Sequence, residues 1–275
     1  MGLRVNTNIM SMSAQRNLSS TSTRLGDNFR RLSSGLRIDV AADDPAGLGI
    51  SERMRSQIRS LSQASRNTQD GVSLVQTAEG SISEVLGNLN RMRELAVQSA
   101  NGTYSDSDRL IMDAEFQQLI IEIDRIADTT KFNDIQLLDG SQATVPIQVG
   151  IEEGELIDVP LADVTATTLG LDVTDFDLTS LDNATDVLDG IDAAIDTVNS
   201  MRGNLGAVQN RLDSSLRSIL NVRENLAAAE SRIRDVDVAE ETADLTRNSI
   251  MQQAAISVLS QANAQPQIAL NLLQG

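Results

Sequence analysis

From Ile191 to Ile233 every seventh residue is aliphatic: Ile191, Val198, Leu205, Leu212, Ile219, Leu226 and Ile233. Seven successive positions at a spacing of seven mark a coiled-coil seam. The seam alone spans roughly 65 Å of helix at 1.5 Å per residue. So long a stripe must lie against something equally long. Burying one such seam does not offset the backbone entropy lost in ordering its helix. Other faces must therefore be covered, either within the chain or between copies of it.

The rest of the apolar content suits this kind of packing. The chain is 40% hydrophobic but only 2% aromatic, with no Trp, one Tyr and four Phe. Aliphatic helix seams are a better use of such residues than a globular core, which draws its buried area from large rings. The absence of Cys and His excludes disulfides, thiolate zinc sites, imidazole ligands and Ser-His-type triads. An enzyme would have to work with carboxylates alone. The dense acids, Glu152-Glu153-Gly154-Glu155 and Asp172, Asp175 and Asp177, read as solvated loops rather than a catalytic pair or a metal cluster. No enzymatic activity and no cofactor are expected. No apolar run approaches the ~18 residues of a membrane span, and Met1–Ala14 carries no secretory h-region. The protein is thus expected in the cytoplasm or exported without a cleaved signal.

Charge is uneven. Of a net −17, residues 101–200 carry 22 acidic and 3 basic residues, leaving 17 and 19 for the remainder. The near-neutral ends are better suited to self-association than the acidic middle, and a net acidic chain argues against nucleic-acid binding.

Periodicity predicts the remaining elements. Leu18, Leu25 and Leu32, with Phe29 and Leu36 four beyond the last two, give one stripe near the N-terminus. Asp44 is placed to cap a second helix that opens on Pro45. That helix keeps 3–4 spacing from Ile50 to Ala96. Gly71, Gly80 and Gly87 weaken it by about 1 kcal/mol each, which close helix approach would explain. Phe116, Ile120, Ile123 and Ala127 form the stripe of a third helix, from Asp106 to about Thr129. Alternation around Pro146 and again from Leu156 to Leu161 predicts a small β-hairpin, and residues 162–182 look irregular. The last helix carries a wide stripe of Ile250, Met251, Ala254, Ala255, Val258, Leu259 and Ala262, needing neighbours on more than one side. Gln265-Pro266 is expected to kink it. The expected fold class is mainly α: a long antiparallel helical bundle with a small β-hairpin region and paired N- and C-terminal helices.

Several separate motifs resemble bacterial flagellin, in that family's order. They are Val5-Asn6-Thr7-Asn8, Leu32-Ser33-Ser34-Gly35 with Arg37-Ile38, and Ala41-Ala42-Asp43-Asp44 with Ala46-Gly47. Further along come residues 88–99 (NLNRMRELAVQS), Phe132-Asn133 and Gln148-Val149-Gly150. The C-terminal half adds 205–211 (LGAVQNR), Ser231-Arg232-Ile233 with Asp235, Gln252-Gln253-Ala254 and 258–263 (VLSQAN). The likeness covers about 1–160 and 185–275. Pro45 stands where the family usually has Ala, Asp134 where it has Gly, and Asn90 where it often has Gln. The ending Leu272-Leu273-Gln274-Gly275 lacks the usual basic residue.

The resemblance implies a structural subunit that polymerises into a hollow extracellular filament for swimming. Residues 1–44 and 236–275 would form an inner coiled-coil domain. Residues 45–180, with the hairpin region, and 181–235 would form an outer helical domain. Assembly would fall to Leu18, Leu25, Phe29, Leu32, Ile250, Met251, Ala254, Val258, Leu259, Leu272 and Leu273. The 191–233 seam would pair inside the subunit with the stripe from Ile50 to Ala96. Gln253, Gln261, Asn263 and Gln265 would line the lumen. Implied partners are further copies or other flagellins, an export chaperone, the type III export apparatus, a filament cap protein and a hook–filament junction protein. Arg91, Leu95 and Glu115 match the positions by which a host Toll-like receptor senses many flagellins. Read bottom-up, Arg91 and Leu95 fall on a solvated edge of the long helix. A hook–filament junction protein, which shares the terminal helix pattern, is the alternative reading.

Overall fold

The computed structural model describes residues 7–171 and 176–274, with all side chains among them except those of 182 and 267–274. Its elements in order are α1 (Ile9–Ser34), α2 (Pro45–Ser99), α3 (Asp106–Thr129), β1 (Lys131–Phe132), β2 (Ile135–Gln136), β3 (Thr144–Gln148), β4 (Leu156–Pro160), α4 (Leu181–Arg234) and α5 (Val238–Gln274). The fold is mainly α, as the periodicity predicts, with the expected small antiparallel hairpin (β3–β4) and a second, two-residue one (β1–β2). The chain divides into two compact units. One takes in residues through Ser56 and those from Asn225 onward; the other is Gln57–Glu224.

The 57–224 unit has a continuous aliphatic core. On α2, Leu74, Val75, Ala78, Ile82, Val85, Leu89 and Met92 are buried at helical spacing. On α4, Ile191, Val198, Leu205 and Leu212 join the same cluster. The two helices pack antiparallel: Arg93 pairs with Asp192 at 2.6 Å and Arg202 with Glu79 at 3.5 Å. Gly71 permits a close approach, since a Cβ there would lie 3.1 Å from Ile147 and 3.5 Å from Leu212. The same reason fails for Gly80 and Gly87. Both are exposed, and a Cβ on either meets nothing within 4 Å.

α3 starts from a capping box, in which Ser105 and Asp108 each satisfy the other's backbone N–H. Its stripe of Phe116, Ile120, Ile123 and Ala127 is fully buried. Its polar side chains hold the segment before α4. Asp124 accepts from the Ala166 N–H at 2.7 Å, Asp113 from the Leu178 N–H at 2.9 Å, and Gln117 donates to the Phe176 carbonyl at 2.8 Å. The described part of that segment is irregular, as expected, yet Val164, Ala166, Leu169, Leu171 and Leu178 are buried in the core. Part of the acidic middle is therefore structural: Asp163 accepts from Thr165 and Thr168, and Asp177 from Thr179 and Asn183.

β3 and β4 pair from Thr144↔Pro160 to Gln148↔Leu156, with Ile157 and Val159 turned inward. β1 and β2 form a two-residue hairpin absent from the periodicity, because a pair this short carries no alternation. Its turn places Asn133 at φ 47° and Asp134 at φ 65°, the left-handed pair such hairpins require. Asp tolerates this conformation less well than Gly. Asp134→Gly is expected to stabilise the 57–224 unit by about 0.5–1 kcal/mol, seen as a higher urea midpoint at unchanged slope.

Candidate assembly site

The unit of both chain ends is organised by two loops and a helix pair. α1 stops at Gly35, whose φ of 72° lets its N–H reach the Arg31 carbonyl at 2.8 Å. The next residues pair with the α4–α5 junction. Leu36 and Asp235 form an antiparallel bridge, the Arg37 N–H donates to the Arg234 carbonyl at 2.6 Å, and the Val236 N–H donates to the Gly35 carbonyl at 3.1 Å. Ile38 is buried beneath them. The two acids of the Ala41–Asp44 motif divide the loop between them. Asp43 accepts from the Asp39 and Val40 N–H groups, both at 3.2 Å, and from Arg30 at 3.1 Å. Asp44 caps α2, accepting from Ala46 at 3.1 Å and Gly47 at 3.0 Å. Gly47 has to be small: a Cβ would crowd Asp44 and lie 2.9 Å from Ile38 Cδ1. The Arg30 hydrogen bond, aided by the two loop N–H groups, holds the Asp43 carboxyl down to about 2. At the start of α2, Glu52 accepts from Arg234, which lowers the Glu52 pKa.

α1 and α5 pack antiparallel along a heptad seam. The buried and half-buried positions of α1 include Ser11, Ala14, Leu18, Thr21, Leu25, Asn28 and Leu32, and those of α5 include Glu241, Leu245, Asn248, Gln252, Ala255, Leu259 and Ala262. These two subsets alternate steps of three and four; Asp27, Arg30, Arg31, Asp244, Ser249, Ala264 and Pro266 are half-buried beside them. The fully buried members of α1, however, are Ala14, Thr21 and Asn28, all small or polar. Asn28 donates to buried Glu241 and accepts from Asn248 at 2.7 Å, and Arg31 lies 3.9 Å from Glu241. Asn8 and Ser11 join the far end to Ala262 and Asn263, each at 2.7 Å. An apolar-stripe reading misses these positions, because it does not count Thr, Asn or Glu as seam residues.

The residues expected to assemble therefore fall into two sets. Leu18, Leu25, Leu32 and Leu259 are half-buried in the α1–α5 pattern. Phe29, Ile250, Met251, Ala254 and Val258 are exposed, Phe29 by 58%, Ile250 by 61% and Val258 by 59%. Ile9, Met10, Met12 and Ile256 are exposed as well. The side chains of Leu272 and Leu273 lie outside the described residues, as do Val5, Asn6, Asp172 and Asp175. Gln253, Gln261, Asn263 and Gln265 are all exposed. α5 continues as helix through Pro266 to Gln274, so the proline does not end it.

The 191–233 seam is likewise divided. Ile191, Val198, Leu205, Leu212 and Ile219 are buried in the 57–224 unit, while Leu226 and Ile233 are half-buried in the other. On α2, Arg91 is exposed and bonds Glu115 at 2.9 Å and Glu94 at 3.0 Å, which raises its pKa. Leu95 is not on a solvated edge as the spacing suggested. It is 2% exposed and belongs to the core, because α3 also packs there and widens the buried face of α2. Among the described residues, no group of three or more acids is placed to hold a metal ion, and no helix is long and apolar enough to cross a membrane.

Two family models match the chain. The bacterial flagellin N-terminal helical region matches residues 5–143, and the bacterial flagellin C-terminal helical region matches 188–273. A flagellin of Halalkalibacterium halodurans is 49% identical over 270 residues, covering 98% of this chain and 99% of the relative. A flagellin of Bacillus subtilis is 43% identical over 304 residues, covering 99% and 100%. The crystal structure of Bacillus cereus flagellin is 33% identical, with a TM-score of 0.51 over 60% of this chain and 94% of that one.

The Asp43 loop, inside the matched N-terminal region, makes the end unit acid-sensitive. Its carboxyl ordinarily titrates near 3.8 and is held near 2 when folded. The stabilisation is thus complete above the ordinary value and is lost as pH falls through the folded one. Helix melting followed from pH 5 to pH 2 is expected to drop across this window. Asp43→Asn is expected to melt lower at pH 5 and to show a smaller further drop.

Proposed function

The chain belongs to the bacterial flagellin family, and as such a structural subunit of the extracellular flagellar filament we propose that it polymerises through the outward apolar faces of α1 and α5. One observation carries this reading: the paired terminal helices bury small and polar residues between them while Phe29, Ile250, Met251 and Val258 stay uncovered. An isolated helix pair with that distribution lacks the apolar burial needed for stability, and neighbouring copies supply it. Residues 1–44 and 236–275 form the inner coiled-coil domain and 45–235 the outer helical domain. Leu18, Leu25, Leu32 and Leu259 support the pair; Ala254 and the uncovered residues meet other copies. The 191–233 seam stiffens the outer helices, and the exposed Gln and Asn of α5 keep the lumen wet. The chain is a structural protein and not an enzyme. Nothing favours the hook–filament junction alternative.

The same uncovered apolar surface argues for an export chaperone before assembly, for passage through the type III apparatus, and for contact with a cap protein and a junction protein at the filament's two ends. Recognition by the flagellin-sensing Toll-like receptor of hosts would rest on Arg91 and Glu115, with Leu95 supporting them from the core.

Purified chain seeded with filament fragments is expected to give filaments in electron micrographs. Deletion of 236–275 is expected to leave a soluble monomer that does not polymerise; filaments from that deletion would sink the assembly reading. In receptor-reporter cells, Arg91→Ala is expected to lower the response with melting unchanged. Leu95→Ala is expected to cost about 2–4 kcal/mol of stability, as a buried truncation.

A further inference from the structure

Pro266 has no N–H, so the helix bond that residue 266 would give to the Ala262 carbonyl is missing from α5. Ala262 is buried, with 7% exposure, and an unpaired buried carbonyl is costly. The side chain of Asn8 reaches that oxygen: its Nδ2 donates to it at 2.7 Å. The same amide has a second role. Its Oδ1 accepts the Ser11 N–H at 3.1 Å as the N-cap of α1. One turn of contact further, Ser11 Oγ donates to Asn263 Oδ1 at 2.7 Å.

We propose that Asn8 is a positioning residue that sets the axial register of α1 on α5, by supplying the hydrogen bond that Pro266 removes. The need follows from the seam. Ala14 and Thr21 are small, and the apolar positions repeat every seven residues. A slip of one heptad would leave much of that pattern intact. It would not preserve the polar match. Pro266 is the only proline in α5, so the ladder offers Asn8 one orphaned interior carbonyl and no other. A slipped pairing strands that carbonyl together with the Asn8 donor. The Asn28, Glu241 and Asn248 contacts anchor the opposite end of the pair, and two separated polar anchors fix both register and direction. Register matters because it decides which outward residues each copy presents to the next. In that respect the inference rests on the assembly reading above.

The two roles of Asn8 separate cleanly. Asn8→Asp keeps the cap, since a carboxylate accepts the Ser11 N–H at least as well at a helix N-terminus. It cannot donate to a carbonyl. Pro266→Ala restores the missing N–H and makes the Asn8 donor unnecessary. Four chains are compared: wild type, Asn8→Asp, Pro266→Ala and the double variant. With Pro266 present, Asn8→Asp is expected to raise the critical concentration for seeded polymerisation about tenfold. In the Pro266→Ala background the change is expected to stay within about twofold. Register is read separately. The chain has no native Cys, so Ser11→Cys with Asn263→Cys reports alignment by disulfide yield. That yield is expected to fall with Asn8→Asp and recover with Pro266→Ala. The same loss in both backgrounds, or no loss from Asn8→Asp beside Pro266, overturns the proposal. A wild-type chain that fails to polymerise overturns the assembly reading instead, and the disulfide yields of the four chains then decide the register proposal alone.

Discussion

The terminal helices bury small and polar residues most deeply between them, hold several leucines half-buried beside these, and leave other large apolar side chains exposed. Ala14, Thr21 and Asn28 are the buried residues of α1, Asn28 bonded to Glu241 and Asn248, while Phe29, Ile250 and Val258 are exposed. Hydrophobic burial is non-directional and follows the area removed from water. A pair built this way gains little from its own closure and much from being surrounded. Its inner contacts are hydrogen bonds, which contribute modestly to stability but penalise every wrong alignment. In the proposed assembly, specificity lies inside the pair and affinity outside it.

The 57–224 unit has the opposite distribution. Ile82, Val85, Leu89, Met92, Phe116, Ile120, Ile191 and Val198 are all fully buried in one core. This unit buries a continuous core of its own, and several of its polar side chains are used for local order. Asp113, Asp124 and Gln117 hold an irregular segment that no ladder would otherwise satisfy. Under the assembly proposed above, the end unit is the one that neighbouring copies complete.

Much of this was legible in the residues. The long helices, their stripes, the Asp44 cap and the β3–β4 hairpin follow from local preferences and short-range periodicity. The motifs quoted from both halves were specific enough to point to the flagellin family. What escaped has a common cause. The most deeply buried α1 residues of the α1–α5 seam are small or polar, so a search for apolar stripes picked out Leu18, Leu25 and Leu32, which are only half-buried, and passed over Thr21 and Asn28. Leu95 looked like an edge residue because α3 is remote in sequence from the face it covers. The β1–β2 pair is too short to alternate, and the buried residues Ala162, Val164, Ala166, Leu169 and Leu171 lie in a segment too short and irregular to read as an element.

By itself the sequence determined which segments are helical, where they begin and end, and which family the chain falls in. Those outcomes depend on interactions within a few residues: caps, turns and the 3.6-residue period. Only the tertiary structure decided which side chains each stripe meets. It put Leu95 in the core and Phe29 in the open, and it set the donor of Asn8 against the carbonyl that Pro266 leaves unpaired. Residues 8 and 262 belong to opposite ends of the chain, and no local preference relates them. Their meeting is a consequence of antiparallel packing, in which burial and hydrogen-bond satisfaction must be met at the same register.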